Sequence, residues 1–209
     1  MVNQKYEITD IAHGEYPFLH RIRALRDVGD KVKAGDLGGF VECEANLSFE
    51  PGDDAWIFDD AIACEDSHVD KGSRLFGDVV VYGNALISQG SFLSGHARAE
   101  DCAYIRGADL CGHARASGNS MILDSPGTGK APILSENCVI YGAVLGDVHI
   151  EGDAVVLGNE KIANETPDTL VINGQGRSVI HDPSRDELHP RQPEKADEKK
   201  TAKRKEAER

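Results

Sequence analysis

A repeat of six residues runs through the middle of the chain and limits its fold more than any other feature. Within each repeat unit, or rung, a small residue stands two positions after the start and an aliphatic or small residue stands four positions after it. Only Asp109 clearly departs from this phase. Alternation of this kind is typical of a short β-strand, and the turn-forming residues Gly and Asp stand at many of the junctions. The rungs begin at Asp53, Asp59, Glu65, Lys71, Gly77, Gly83, Gln89, Gly95, Asp101 and Gly107.

Three such rungs make one triangular coil of about eighteen residues, and stacked coils pair at the ordinary strand spacing of about 4.8 Å. After one deletion the pattern resumes at Gly112 and Gly118, and it returns near Cys138, Val148 and Ala154. An amphipathic α-helix is excluded, because residues three and four apart do not share polarity. The sequence therefore predicts an all-β fold, a single-stranded parallel β-helix over residues 51–181, with positions two and four of each rung pointing inward.

The two ends of the chain do not follow the repeat. Residues 1–50 contain two alternating segments, around Tyr6 and around His20, with a turn near Gly14 and Pro17 between them. Because a solenoid exposes a sheet edge at each end, we expect these residues to form an N-terminal hairpin cap. Residues 182–209 are rich in Lys, Glu, Arg and Pro, and we expect a charged tail that is disordered or helical.

Charge and composition exclude several classes of function. The chain has 209 residues and a net charge of −13, which argues against direct binding of nucleic acid or of an anionic membrane. No apolar run is long enough to span a membrane. The 5 cysteines are widely spaced and form no Cys-x-x-Cys pair, so they predict neither a zinc site nor a redox motif. We expect no metal site. We expect free thiols in the cytoplasm.

The repeat resembles that of the hexapeptide-repeat, left-handed β-helix proteins of the trimeric LpxA-like superfamily. A narrower resemblance, to the YdcK-like group of bacterial and prophage-encoded β-helix proteins, rests on residues 21–27, 33–42 and 46–48 and on the Tyr-Gly-Asn-Ala rung at 82–85. It covers roughly residues 5–160. The resemblance implies a left-handed coil and is compatible with a homo-oligomer. Some members of the group are labelled acetyltransferases by fold analogy, which says little about activity.

Residues 124–135 interrupt the repeat and predict an extruded loop. Its segment Gly127-Thr128-Gly129-Lys130 is similar to a nucleotide-binding P-loop. The match fails at both ends, because Asp124 replaces the first glycine and Ala131 replaces the Ser or Thr that would hold magnesium. In the hexapeptide acyltransferases, which the chain resembles, loops of this kind close over the substrate.

Two near-copies, Gly-His-Ala-Arg-Ala at 95–99 and at 112–116, lie one coil apart. We therefore expect His96 to stack beside His113 and Arg98 beside Arg115, with Asp78 and Asp60 continuing the histidine column. A histidine suits general-base catalysis near neutral pH. The resemblance implies that such a base deprotonates the acyl acceptor while acetyl-CoA lies between subunits. The alternative interpretation is that both histidines are ordinary exposed turn residues.

Two classes of function remain open. The first, which we favour, is a non-catalytic acidic protein that needs no cofactor and binds another protein, in a prophage setting a host component that it modulates. The second is a hexapeptide-type acyltransferase that uses acetyl-CoA, with His96 or His113 as the general base. The candidate binding residues are Asp59, Asp60, Asp78, Arg98, Arg115, Gly127, Thr128, Gly129 and Lys130.

Overall fold

The computed structural model describes residues 2–182. This range is almost entirely β-structure, in parallel sheets stacked as a β-solenoid of about 7 turns, which confirms the predicted fold class. A single turn of 3-10 helix spans Glu44–Asn46. The strands are β1 (Tyr6–Ala12), β2 (His20–Ala24), β3 (Leu37–Val41), β4 (Trp56–Ile57), β5 (Ile62–Ala63), β6 (His68–Val69), β7 (Arg74–Leu75), β8 (Val80–Val81), β9 (Leu86–Ser88), β10 (Phe92–Leu93), β11 (Arg98–Ala99), β12 (Tyr104–Arg106), β13 (Asp109–Leu110), β14 (Arg115–Ala116), β15 (Met121–Leu123), β16 (Ile133–Leu134), β17 (Val139–Ile140), β18 (Ala143–Gly146), β19 (Val148–Ile150), β20 (Val155–Val156), β21 (Lys161–Asn164), β22 (Thr169–Asn173) and β23 (Gly176–Ile180).

The strands form three sheets, one on each side of the coil. Sheet one has the order β1-β2-β3-β5-β8-β11-β14-β17-β20, sheet two β23-β22-β19-β16-β13-β10-β7-β4, and sheet three β21-β18-β15-β12-β9-β6. Most neighbours are parallel, and Ile62 pairs with Val80, which pairs with Arg98. Each step spans one coil, as the six-residue repeat predicts.

The core is a narrow column of small and aliphatic side chains. Ala61, Ile87 and Leu93 are buried at the inward positions that the repeat assigns to them. At the rung that begins at Gly107 the predicted phase is wrong. Asp109 and Cys111 do not point inward. Ala108 and Leu110 are buried instead, because the deletion falls directly after the turn, within this rung.

The turns explain the residue types at the rung starts. Nine of the ten predicted starts have a positive φ, from 49° at Lys71 to 72° at Gly83, and at the first rung Gly52 takes this role in place of Asp53. Glycine and aspartate tolerate this left-handed conformation best. Glu65, Lys71 and Gln89 adopt it as well, so the coil imposes it on residue types that do not favour it.

The N-terminal segment joins the solenoid earlier than predicted. β1 and β2 form an antiparallel hairpin that pairs with β3, but β3 already pairs in parallel with β5. The first coil therefore begins at β3, not near residue 50. The hairpin residues Tyr6 and Ile22 are buried in the same core as Trp56.

The interrupting loop and the C-terminal tail are the other two segments whose boundaries the sequence predicts. The loop predicted at residues 124–135 ends earlier, since β16 is in register with β13 and β19. The predicted tail at 182–209 lies outside the described residues, apart from Asp182. None of the helical structure within residues 2–182 is long and apolar enough to cross a membrane.

Candidate functional site

The predicted histidine column exists and lies at the corner between sheets two and one. The register of β5, β8, β11 and β14 aligns Asp60, Asp78, His96 and His113, each two residues before its paired strand residue. The His96 and His113 rings stack with centroids 4.9 Å apart and planes 12° apart. Asp78 Oδ2 lies 3.4 Å from His96 Nδ1, and the two side chains are 63% and 57% exposed.

The next two coils extend the same column through Asn137 and Asp153, because β14 pairs with β17 and β17 with β20. Asn137 Nδ2 donates a hydrogen bond to Asp153 Oδ1 at 3.1 Å. The corner therefore has carboxylates toward both ends and two histidines in the middle. We call the column from Asp60 to Asp153 the corner ridge.

At the N-terminal end of the corner ridge, Asp60 is occupied by a contact that the sequence did not reveal. Arg21 Nη2 lies 2.6 Å from Asp60 Oδ1, and Arg21 Nη1 donates to the carbonyl of Asp59 at 2.8 Å. The Arg21 guanidinium also lies over the Phe40 ring, 4.2 Å from its centroid. This contact fastens β2 to the first coils of the solenoid.

Asp59, which the sequence marks as a binding residue, has a structural role instead. Its Oδ2 accepts a hydrogen bond from the backbone N–H of Gly77, one coil away, at 3.0 Å. Glu65 does the same for Gly83 at 2.9 Å, and Asp101 for Gly118 at 2.8 Å. These three acidic residues thus tie their own left-handed turn to the turn one coil later. The signal in the sequence is an acidic residue followed one coil later by glycine.

Arg98 and Arg115 are register neighbours on the outer surface of sheet one, as predicted. Within residues 2–182, only Arg115 of the two has a carboxylate partner: its guanidinium bonds Glu100 Oε1, while Tyr82 donates its hydroxyl proton to Glu100 Oε2. Glu100 is only 2% exposed. Burial raises the pKa of Glu100, but the hydrogen bonds from Tyr82 and Arg115 outweigh it and hold the pKa below the usual glutamate range.

Sequence reasoning missed Glu100 and Tyr82. Both follow an inward residue, so the alternation of the repeat predicts that their side chains lie on the solvent side of the strand. The phase of the repeat contained no signal that the long side chains of Tyr82 and Arg115 would converge on Glu100 from two other coils.

The interrupting loop is a tight hairpin folded against the solenoid. The Ser125 N–H donates to the Lys130 carbonyl at 2.8 Å, and residues 127–129 form the exposed tip. Lys130 Nζ lies 3.0 Å from Oδ2 of the buried Asp147, which also accepts a hydrogen bond from Thr169. Lys130, the lysine of the P-loop-like segment, is therefore already paired with the Asp147 carboxylate.

The loop and the histidines lie at different corners. The loop leaves between β15 and β16, where the chain passes from sheet three to sheet two, whereas His113 lies between β13 and β14, at the corner of sheets two and one. The loop therefore does not flank His96 and His113, as it would if it closed over a substrate held at these histidines. Gly127, Thr128, Gly129 and Lys130 do not join the corner ridge.

The histidines stand on an open surface. Two surface depressions of the described residues lie away from the histidines: one beside Asp53, Asp70 and Lys71, the other beside Glu136 and Gln175. Within residues 2–182, no group of three or more His, Cys, Asp or Glu side chains is arranged to hold a metal ion.

No protein-family model matches this chain, and no curated protein matches it. The structure by itself shows that the chain is a β-solenoid. The narrower resemblances to the hexapeptide-repeat and YdcK-like proteins, and the handedness that they imply, stay predictions from the sequence.

Proposed function

We propose that this chain is a non-catalytic protein that binds another protein through the corner ridge. The observation that supports this best is the open placement of Asp78 and His96, which are both more than half exposed on a projecting corner. Asp78 and His96 line neither of the two depressions, and such an open surface suits a protein partner better than a small molecule.

Charge indicates the kind of partner. The chain carries −13 overall, and the Asp78 carboxylate is exposed on the corner ridge, so a partner with a cationic surface would be attracted to it. The resemblance to YdcK-like proteins supports a phage accessory role in which the partner is a host component. The five free cysteines fit a reducing cytoplasm.

A charge reversal at Asp78 tests this proposal. Asp66 offers a matched control, because it is exposed and occupies the same position after its rung start as Asp78, at the corner between sheets one and three. Immobilised wild-type protein and the Asp66→Lys variant should retain the same bacterial protein, identified by mass spectrometry. The Asp78→Lys variant should lose it. Equal retention by all three proteins, or equal loss in both variants, would contradict the proposal.

A second candidate function, acyl transfer from acetyl-CoA, is favoured by one contact. Asp78 approaches Nδ1 of His96, so Nε2 has no partner among residues 2–182, and a carboxylate that orients an imidazole in this way is a common arrangement for a general base. Calorimetry with acetyl-CoA separates the two functions, since the binding protein should give no heat of binding. Acetyl transfer that falls about 10²-fold or more in His96→Ala or His113→Ala, but not in His149→Ala, would overturn our preference.

A further inference from the structure

The two Gly-His-Ala-Arg-Ala rungs present four side chains that can carry positive charge on one surface. His96 and Arg98 project from one strand, His113 and Arg115 from the next, and all four are exposed. Neighbouring strands lie about 4.8 Å apart, and like charges placed directly opposite each other destabilise a sheet. On a chain of net charge −13, two guanidinium groups thus stand side by side on neighbouring strands.

Only one of the two guanidinium charges is compensated. Arg115 is held by the buried Glu100, which Tyr82 also fixes. Arg98 has no ion pair with any residue in the described range 2–182. The result is a fixed guanidinium beside a free one, with Glu100 acting as a positioning residue for Arg115.

The size of the patch limits what it can bind. In the arginine column, Val80 and Val139 occupy the neighbouring strands. In the histidine column the neighbours are Asp78 and Asn137. The two arginines therefore form a pair only two strands deep, which suits one anionic group and not an extended polyanion.

From this geometry we propose that Arg98 and Arg115 form a binding site for a single phosphate-class oxyanion. A guanidinium presents its N–H groups in a planar fork that matches the oxygens of phosphate, and the held Arg115 loses less side-chain freedom on binding. The proposed site consists of Arg98 and Arg115, so phosphate binding does not require that the corner ridge bind a protein partner.

The test is a titration of the full chain with inorganic phosphate, followed by NMR of the arginine Nε–Hε groups at constant ionic strength. We expect saturable one-to-one binding with shifts at Arg98 and Arg115. Arg98→Gln should weaken the affinity about tenfold or more, the loss expected for a hydrogen bond to a charged group. Glu100→Gln should also weaken it, because the carboxylate that holds Arg115 in place is lost while the side chain keeps its shape.

Arg74→Gln is the matched control, since Arg74 has the same outward position in a two-residue strand but lies on sheet two. It should bind phosphate as the wild type does. Acetate, with one charge and two oxygens, should bind about tenfold or more weakly than phosphate. Non-saturable shifts, equal competition by chloride, or equal losses in Arg98→Gln and Arg74→Gln would overturn the proposal. If phosphoserine binds as tightly as inorganic phosphate, the group recognised is the phosphate itself, whether free or attached.

Discussion

Single buried polar residues shape the ends of this solenoid, and Lys5 is the clearest case. Its side chain is 1% exposed, and Nζ donates a hydrogen bond to the Ser48 carbonyl at 2.7 Å. Burial lowers the pKa of Lys5 to about 8, although Asp53 partly opposes this shift. A charged amine held out of water opposes folding, so the environment of Lys5 favours its neutral form.

We therefore expect stability to depend on pH through Lys5. Between a pKa of about 8 in the folded chain and about 10.4 in the unfolded chain, the unfolded state binds more protons, so stability rises with pH. The Lys5→Met variant should lack this rise, which for the wild type is of the order of 2 kcal/mol. Urea unfolding of both proteins at pH 7.5, 9 and 10 measures the difference. Parallel pH profiles would refute the prediction.

At the scale of a rung, the decisive element is the left-handed turn. Gly83 and Gly90 have nearly the same φ, 72° and 73°, but different surroundings. A Cβ at Gly83 would lie 2.8 Å from the backbone N and O atoms of Asp101 in the next coil, whereas a Cβ at Gly90 would meet no atom within 4 Å. Alanine substitutions at these two positions therefore separate the cost of backbone strain from the cost of a clash with the next coil.

Gly90→Ala should cost about 1–2 kcal/mol, the strain of a left-handed alanine. Gly83→Ala should cost at least about 1 kcal/mol more, since the backbone of the next coil must shift. Chemical denaturation followed by far-UV circular dichroism gives both values. If the two variants lost equal stability, close stacking at Gly83 would not limit the coil.

The whole molecule is a stack of coils with a distinct N-terminal unit. Tryptophan fluorescence monitors the unfolding of that unit separately from the rest of the stack. Trp56, the single tryptophan of the chain, lies in the N-terminal unit. It is buried, with its ring 6.3 Å from that of Tyr6 in an edge-to-face arrangement. The Tyr6 hydroxyl also donates to the Leu47 carbonyl at 2.8 Å. Because coils of a solenoid contact only their neighbours, the end unit can open before the rest.

Tyr6→Ala should loosen the hairpin by about 3 kcal/mol, as expected for removing a buried aromatic ring. The Trp56 fluorescence transition should then move to lower urea concentration than the transition seen by far-UV circular dichroism. Tyr104→Ala, on the outer surface of sheet three, serves as the control and should leave the two transitions together. Coincident transitions in Tyr6→Ala would show that the stack unfolds as one unit.

The sequence by itself determined the period, the inward set and the stacked histidines. A six-residue repeat converts directly into strand register, so Ile87 is buried and His96 meets His113 without further information. Tertiary structure alone decided where the deletion falls, with Ala108 inward and Asp109 outward. It also decided three pairings: Arg21 with Asp60, Lys130 with Asp147, and Arg115 with Glu100. These contacts depend on the directions of long side chains across coils and corners, for which the repeat carries no signal.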